Sequence, residues 1–277
     1  MRWGRRLIRH SRPRFWFYLA GPVLVGTAFG APSVAALFSP AAVALFLYFL
    51  VPANTFLYGI NDFFDASVDR ENPKKDGPEV QSRRSQTEAT AVLVAGLLGI
   101  GLAAILPGIA LPYLAGFLFL GAAYSAPPLR LKTKPPLDSI SNGLYVLPGA
   151  AAYTVLAGTH PPLLALLGGW LWTMAMHTYS AVPDITPDER AGIRTTATVL
   201  GRRNALLYCA VIWLLAAAVF GVLSLRAGVI LLVYPLLVGW MLLRNLDVAR
   251  LYWLYPGINT AVGMVFTLAG LWRVIYG

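Results

Sequence analysis

The chain has 277 residues, 57% of them hydrophobic and only 12% charged, against roughly 25% charged in soluble domains. That balance excludes a soluble enzyme and predicts a polytopic membrane protein of one domain, residues 1–277, with no separate soluble part. The single cysteine, Cys209, excludes an intramolecular disulfide and a cysteine-rich metal site, and reads as a small buried apolar residue.

Membrane helices need about 20 apolar residues. Such runs fall near 15–32, 40–60, 87–106, 109–126, 138–157, 163–183, 204–223, 228–244 and 254–276. The expectation is therefore an all-α protein of nine transmembrane helices. Pro107-Gly108 marks a tight hairpin between the third and fourth. Gly96, Gly99 and Gly101 predict close helix packing. Asp138, after Pro135-Pro136, predicts a cap on the fifth helix.

The net charge of +10 could suit nucleic acid, but its placement argues for a bilayer and no nucleic-acid partner. Twenty of the 22 Lys and Arg precede the first span or follow an even-numbered one; only Arg226 and Arg273 do not. The positive-inside rule then sets the N-terminus in the cytoplasm and the C-terminus outside, in the cell membrane. Lys74, Lys75, Arg83 and Arg84 read as topology determinants. All 12 acidic residues fall on or near the same side, which the rule does not require.

Two acidic clusters stand out. Asn61, Asp65 and Asp69 recur at i, i+4, i+8, so on a helix they share one face, with Asp62 at its border. Asp184 and Asp188 repeat the i, i+4 spacing at the end of a later apolar run. The same number of residues separates Asp65 from Asp184 and Asp69 from Asp188, a pattern of two four-helix halves plus a ninth helix. Carboxylates at membrane depth are costly and functional by default. So many together would repel unless cations neutralise them. The all-oxygen set Asn61, Asp62, Asp65, Asp69, Asp184 and Asp188 suits Mg²⁺, which takes carboxylates together with substrate phosphates. Arg70, Arg130, Lys132 and Arg194 are placed to meet the outer phosphate oxygens, and Lys134 lies in the same basic loop. The chemistry that results is a Mg²⁺-diphosphate clamp open to apolar surroundings, and its ligand is an isoprenyl diphosphate. His177, Tyr179 and Ser180, on the run that precedes Asp184, are candidate cavity-lining residues; a hydrogen-bonded core histidine and an interfacial tyrosine are the plainer readings.

Asn61-xxx-Asp65-xxx-Asp69 resembles the first motif of the UbiA superfamily of intramembrane prenyltransferases. Asp184-xxx-Asp188, with Gly192, Arg194 and Thr195 after it, resembles the second. Tyr124-Ser125-Ala126-Pro127-Pro128-Leu129-Arg130-Leu131-Lys132 resembles the family's YSxxPxRxK loop, which implies that Tyr124 and Ser125 join the diphosphate site. Many members carry Asn where this chain has Ser180. The resemblance implies a nine-helix bundle around a central cavity, with Asp65, Asp69, Asp184 and Asp188 catalytic and two Mg²⁺ per diphosphate. The stretches YGINDFFDASVDRENPKKDG, LDSISNGLYVLPGAAAY and HTYSAVPDITPDERAGIRTTATVLG resemble the lycopene elongase branch. That implies a dimethylallyl diphosphate donor and a lycopene-type carotene acceptor in the lipid bilayer, with the final cation deprotonated or hydrated. The alternatives are an aromatic prenyltransferase making a quinone or chlorophyll-type lipid and, from another class, a cation-coupled transporter. A transporter would place its carboxylates at helix centres; here they lie at helix ends.

Overall fold

The computed structural model describes residues 11–65 and 86–277, and all regular structure among them is helical. The helices are α1 (Trp16–Gly30), α2 (Pro40–Leu50), α3 (Pro52–Asp65), α4 (Gln86–Ile105), α5 (Leu111–Ser125), α6 (Leu137–Ile140) and α7 (Leu147–Ala157). They continue with α8 (Leu163–Ala181), α9 (Ile185–Arg190), α10 (Thr196–Leu223), α11 (Leu225–Leu231), α12 (Val233–Arg244), α13 (Val248–Tyr252) and α14 (Tyr255–Tyr276).

Among the described residues, six stretches are long and apolar enough to cross a membrane: Pro40–Phe64, Gln86–Ile105, Gly108–Ser125, Thr196–Leu223, Leu225–Arg244 and Val248–Tyr276. The other three expected spans are also helical but shorter or less apolar: α1, α7 and α8. The fifth differs most. Residues 137–145 form α6 and a 3₁₀ segment, Ser141–Tyr145, so the long helix begins only at Leu147. Apolar side chains such as Leu93, Leu97 and Ile100 lie exposed along one face of α4, the surface expected of a helix solvated by lipid.

The chain divides into two compact units that are not sequential halves. One comprises Met1–Arg130, Leu147–His160 and Thr267–Gly277; the other comprises Leu131–Val146 and Pro161–Phe266. The expected fifth span, 138–157, is thus shared between them.

In the first unit, α1 packs on α7 backbone to backbone. A Cβ added at Gly26 would stand 2.0 Å from the Gly149 carbonyl oxygen, so neither helix could approach with a side chain there. The break between α2 and α3 follows from Pro52, which has no N–H to continue the ladder. Asn54 answers it: its side-chain amide donates to the carbonyls of Phe49 (2.9 Å) and Leu50 (3.0 Å). In lipid, those freed carbonyls need a partner within the protein. The hairpin between α4 and α5 forms as expected, through a 3₁₀ turn at Gly108–Ala110. Gly99 accommodates the Tyr48 hydroxyl and Gly96 the Phe56 ring, whereas Gly101 has open space and packs against nothing.

The second unit is built on an aromatic core. Trp213, Tyr179, Tyr234 and Tyr255 are all essentially fully buried, with Tyr179 and Tyr255 ring centroids 4.1 Å apart and Trp213 and Tyr234 5.1 Å apart. Cys209 is buried in the same cluster, as expected of a small apolar residue.

Candidate active site

Each unit carries one acidic motif. In the first, Asn61, Asp62 and Asp65 lie on the last turns of α3; Asp69 and Arg70 lie outside the described residues. The amphipathic order of α3 places Asn61 toward the end of α5, where the Asn61 amide oxygen accepts a hydrogen bond from the Ser125 hydroxyl at 3.0 Å. Two of the expected site residues, from motifs 64 positions apart, therefore meet directly. Tyr124 precedes Ser125 on the same helix end and is half-buried. Arg130 follows in a left-handed backbone conformation, φ 40°, its N–H donating to the Ala126 carbonyl at 2.9 Å. Lys132 sits in the short 3₁₀ turn Leu131–Thr133 of the second unit.

Asp62, expected among the metal ligands, carries an ion pair through one of its oxygens. It is 3% exposed, and its carboxylate accepts from the Arg12 guanidinium at 2.6 Å. Arg12 also lies over the Tyr58 ring, 4.9 Å from its centroid, a favourable placement for a cation. Just before it, the fully buried Ser11 is fixed by the Trp16 indole N–H, which donates to the Ser11 hydroxyl at 2.9 Å. Arg12 reads in the sequence as one more topology charge; only its place beside Asp62 reveals this contact. Removing one partner of a buried ion pair strands the other's charge, at a cost of about 3 kcal/mol. Arg12→Ala should therefore lower thermal stability in detergent clearly, and the double variant Arg12→Met/Asp62→Leu should recover most of it. A double variant no more stable than Arg12→Ala would show that the loss does not come from a stranded charge.

In the second unit, the Asp184–Asp188 motif is not the end of one continuous helix. The chain passes from α8 through a 3₁₀ turn, Val182–Asp184, into α9, whose first turn holds Asp188. Pro183 favours this change, since it lacks the N–H that α8 would need to continue. Both carboxylates are half-buried. After α9, Gly192 reverses the chain at φ +67°, a conformation glycine adopts without strain. The Ile193 N–H donates to the Asp188 carbonyl at 2.8 Å. Arg194 follows with an exposed side chain that makes no ion pair among the described residues.

The expected cavity-lining residues divide. Tyr179 is 0% exposed within the aromatic core, its hydroxyl toward the Met241 sulfur, so it lines nothing open. Ser180 is half-buried and donates back to the His177 carbonyl at 2.7 Å. His177 stands 3.8 Å from the Asp138 carboxylate. Asp138 does not cap its own helix; it reaches Thr196 at the start of α10. Among the described residues, no three of His, Cys, Asp and Glu converge on one point. The motif residues are nonetheless oxygen donors throughout, the chemistry Mg²⁺ takes, with no histidine or cysteine cluster of the kind zinc needs.

Apolar helices of membrane length define a membrane-embedded protein, and in each unit the acidic motif lies at a helix end. The chain belongs to the UbiA prenyltransferase family, whose model matches residues 19–272, and it is accordingly an enzyme, a prenyltransferase. It is 60% identical over 273 residues to the lycopene elongase/hydratase of Halobacterium salinarum, covering 99% of each chain. It is 57% identical to the lycopene elongase/hydratase of Haloferax volcanii, over 96% of this chain and 89% of that one. Its fold is similar to that of a UbiA homologue from Archaeoglobus fulgidus solved with DMAPP and Mg²⁺, with a TM-score of 0.74 and 21% identity over 96% of this chain and 98% of that one.

Proposed function

We propose that the protein transfers the dimethylallyl group of dimethylallyl diphosphate to the end of a lycopene-type carotene. The observation that carries this reading is the 60% identity, end to end, with a lycopene elongase/hydratase. Asn61, Asp65, Asp69, Asp184 and Asp188 would hold Mg²⁺. When bound, the metal supplies positive charge to a diphosphate leaving group. Ser125 fixes the Asn61 oxygen as an acceptor, since its hydroxyl already donates there. Arg70, Arg130, Lys132 and Arg194 meet the outer phosphate oxygens with charged hydrogen bonds, joined by Tyr124 and Ser125. Asp62 serves by holding Arg12 rather than by binding metal.

The donor's C–O bond breaks and its electron pair leaves with the diphosphate. The π electrons of the carotene's terminal double bond form the new C–C bond to the allylic carbon. The resulting tertiary cation loses a proton to give an alkene, or takes up water and then loses a proton to give an alcohol. Apolar helices keep bulk water from the allylic cation before the carotene reaches it. The acceptor needs no polar grip, which suits spans with few ionisable groups. The whole chain acts as one domain with nine spans, the N-terminus and the opening to the diphosphate facing the cytoplasm.

The test is mass analysis of carotenoids from a lycopene-producing host that expresses this chain. Gains of one and two five-carbon units, with or without added water, are expected. Unchanged lycopene, with turnover of an aromatic acceptor such as 4-hydroxybenzoate instead, would refute the carotene reading. Topology has its own check: reporter fusions at Gly158 and Thr186 should read opposite sides of the membrane, and matching signals would overturn the nine-span arrangement.

A further inference from the structure

The most polar buried place in the second unit lies outside both acidic motifs. Asp138, in α6, is 0% exposed. Its two carboxylate oxygens accept from the Thr196 backbone N–H at 2.7 Å and from the Thr196 hydroxyl at 2.5 Å. His177 Nε2 is 3.8 Å away, beyond hydrogen-bond range. The neighbouring Ser139 hydroxyl accepts from Thr178 at 3.0 Å and lies 3.0 Å from the Tyr208 hydroxyl. One polar network thus ties α6 to α8 and α10. Burying a carboxylate is costly unless its hydrogen bonds are made, and here they converge on a single residue of another helix.

That residue opens α10. Thr195 is the N-cap and forms a capping box with Thr198, and Thr196 is the first helical residue. A carboxylate already stands at the positive end of α10, so this helix end is satisfied from within the protein. Directly before it runs the loop of Gly192, Ile193 and Arg194. The loop is tied at its other end too, by the hydrogen bond from Ile193 to Asp188. Its residues line an open depression of about 420 Å³, together with Glu189, Thr198 and Val199.

We infer that Asp138 is a positioning residue for the Arg194 loop. Through Thr196 it fixes the start of α10, and so sets where the Arg194 guanidinium stands relative to Asp184 and Asp188. Phosphate is then met by the Arg194 side chain and not by the helix end, which Asp138 occupies. The inference rests on the prenyl diphosphate reading and goes past it, because Asp138 itself touches no substrate.

The test uses the full-length protein in lipid nanodiscs with Mg²⁺, dimethylallyl diphosphate and lycopene. Thr196→Val deletes one donor to Asp138, Thr196→Ser keeps both, and Asp138→Asn removes the charge. Loss of one charged hydrogen bond should raise the donor KM about tenfold in Thr196→Val and Asp138→Asn, with kcat within about threefold of wild type. Thr196→Ser should behave as wild type. With Arg194→Ala already in place, Asp138→Asn should change KM by less than about twofold, because the two act as one unit. Hydrogen exchange at the Thr196 amide and tryptic cleavage after Arg194 should both accelerate in Thr196→Val and stay slow in Thr196→Ser. If Asp138→Asn does not fold, Thr196→Val carries the test. A further tenfold loss in the Arg194→Ala background, or unchanged exchange and cleavage in Thr196→Val, would overturn the inference. If the wild-type protein does not use dimethylallyl diphosphate but exchange and cleavage respond as described, the positioning role stands and the donor assignment fails.

Discussion

Alanine at Asp184 or Asp188 should abolish prenyl transfer, by about a thousandfold or more, while leaving the protein folded in the membrane. Both carboxylates are half-buried, Asp184 in the 3₁₀ turn that joins α8 to α9 and Asp188 in the first turn of α9, so their removal costs little packing. In the proposed reaction they act when charge develops on the diphosphate, and interactions made only then act on turnover. Asp65→Ala and Asp69→Ala should behave alike. EDTA should stop the reaction and Mg²⁺ restore it. Asp62 provides the contrast: its carboxylate is already engaged by Arg12, so Asp62→Asn should reduce stability more than it changes the Mg²⁺ requirement. Turnover that persists in Asp184→Ala, or in chelator, would remove the basis of the mechanism.

Gly26→Val should prevent the first unit from assembling. The added Cβ would lie 2.0 Å from the Gly149 carbonyl oxygen and 2.8 Å from the Gly149 carbonyl carbon. Those are backbone atoms and cannot swing aside as a side chain would. Overpacking at such a contact costs about 3 kcal/mol or more, a large share of the stability of most domains. Size-exclusion profiles of detergent extracts should show aggregate in place of a monodisperse peak. Gly239→Ala, where a Cβ meets nothing within 4 Å, should leave the profile unchanged. A monodisperse Gly26→Val protein would mean that α1 and α7 can separate without unfolding the unit.

Asn61 and Asp65 were legible as one face because helical periodicity is local: both lie on α3, where spacing alone sets the face, whereas the break between Asp184 and Asp188 was not. Apolar length likewise located every long helix, and Pro107-Gly108 its hairpin. The start of the fifth helix was not legible. Residues 138–146 are apolar enough for a span, but they form α6 and a 3₁₀ segment whose polar side chains are used in contacts with α8 and α10. Tyr179 reads from sequence as an interfacial or cavity residue, because its neighbours in space, Trp213 and Tyr255, are remote in the chain.

The sequence by itself determined the membrane class, the helical architecture, the family and the oxygen-donor chemistry of its motifs, because hydropathy, charge placement and helical spacing are all properties of short stretches. Only the tertiary structure decided which polar groups are already engaged. Arg12 and Asp62 are 50 positions apart, and Asp138 and Thr196 are 58. No periodicity connects either pair. Each is joined because a charge leaving water must find a partner wherever the folded chain brings one within reach.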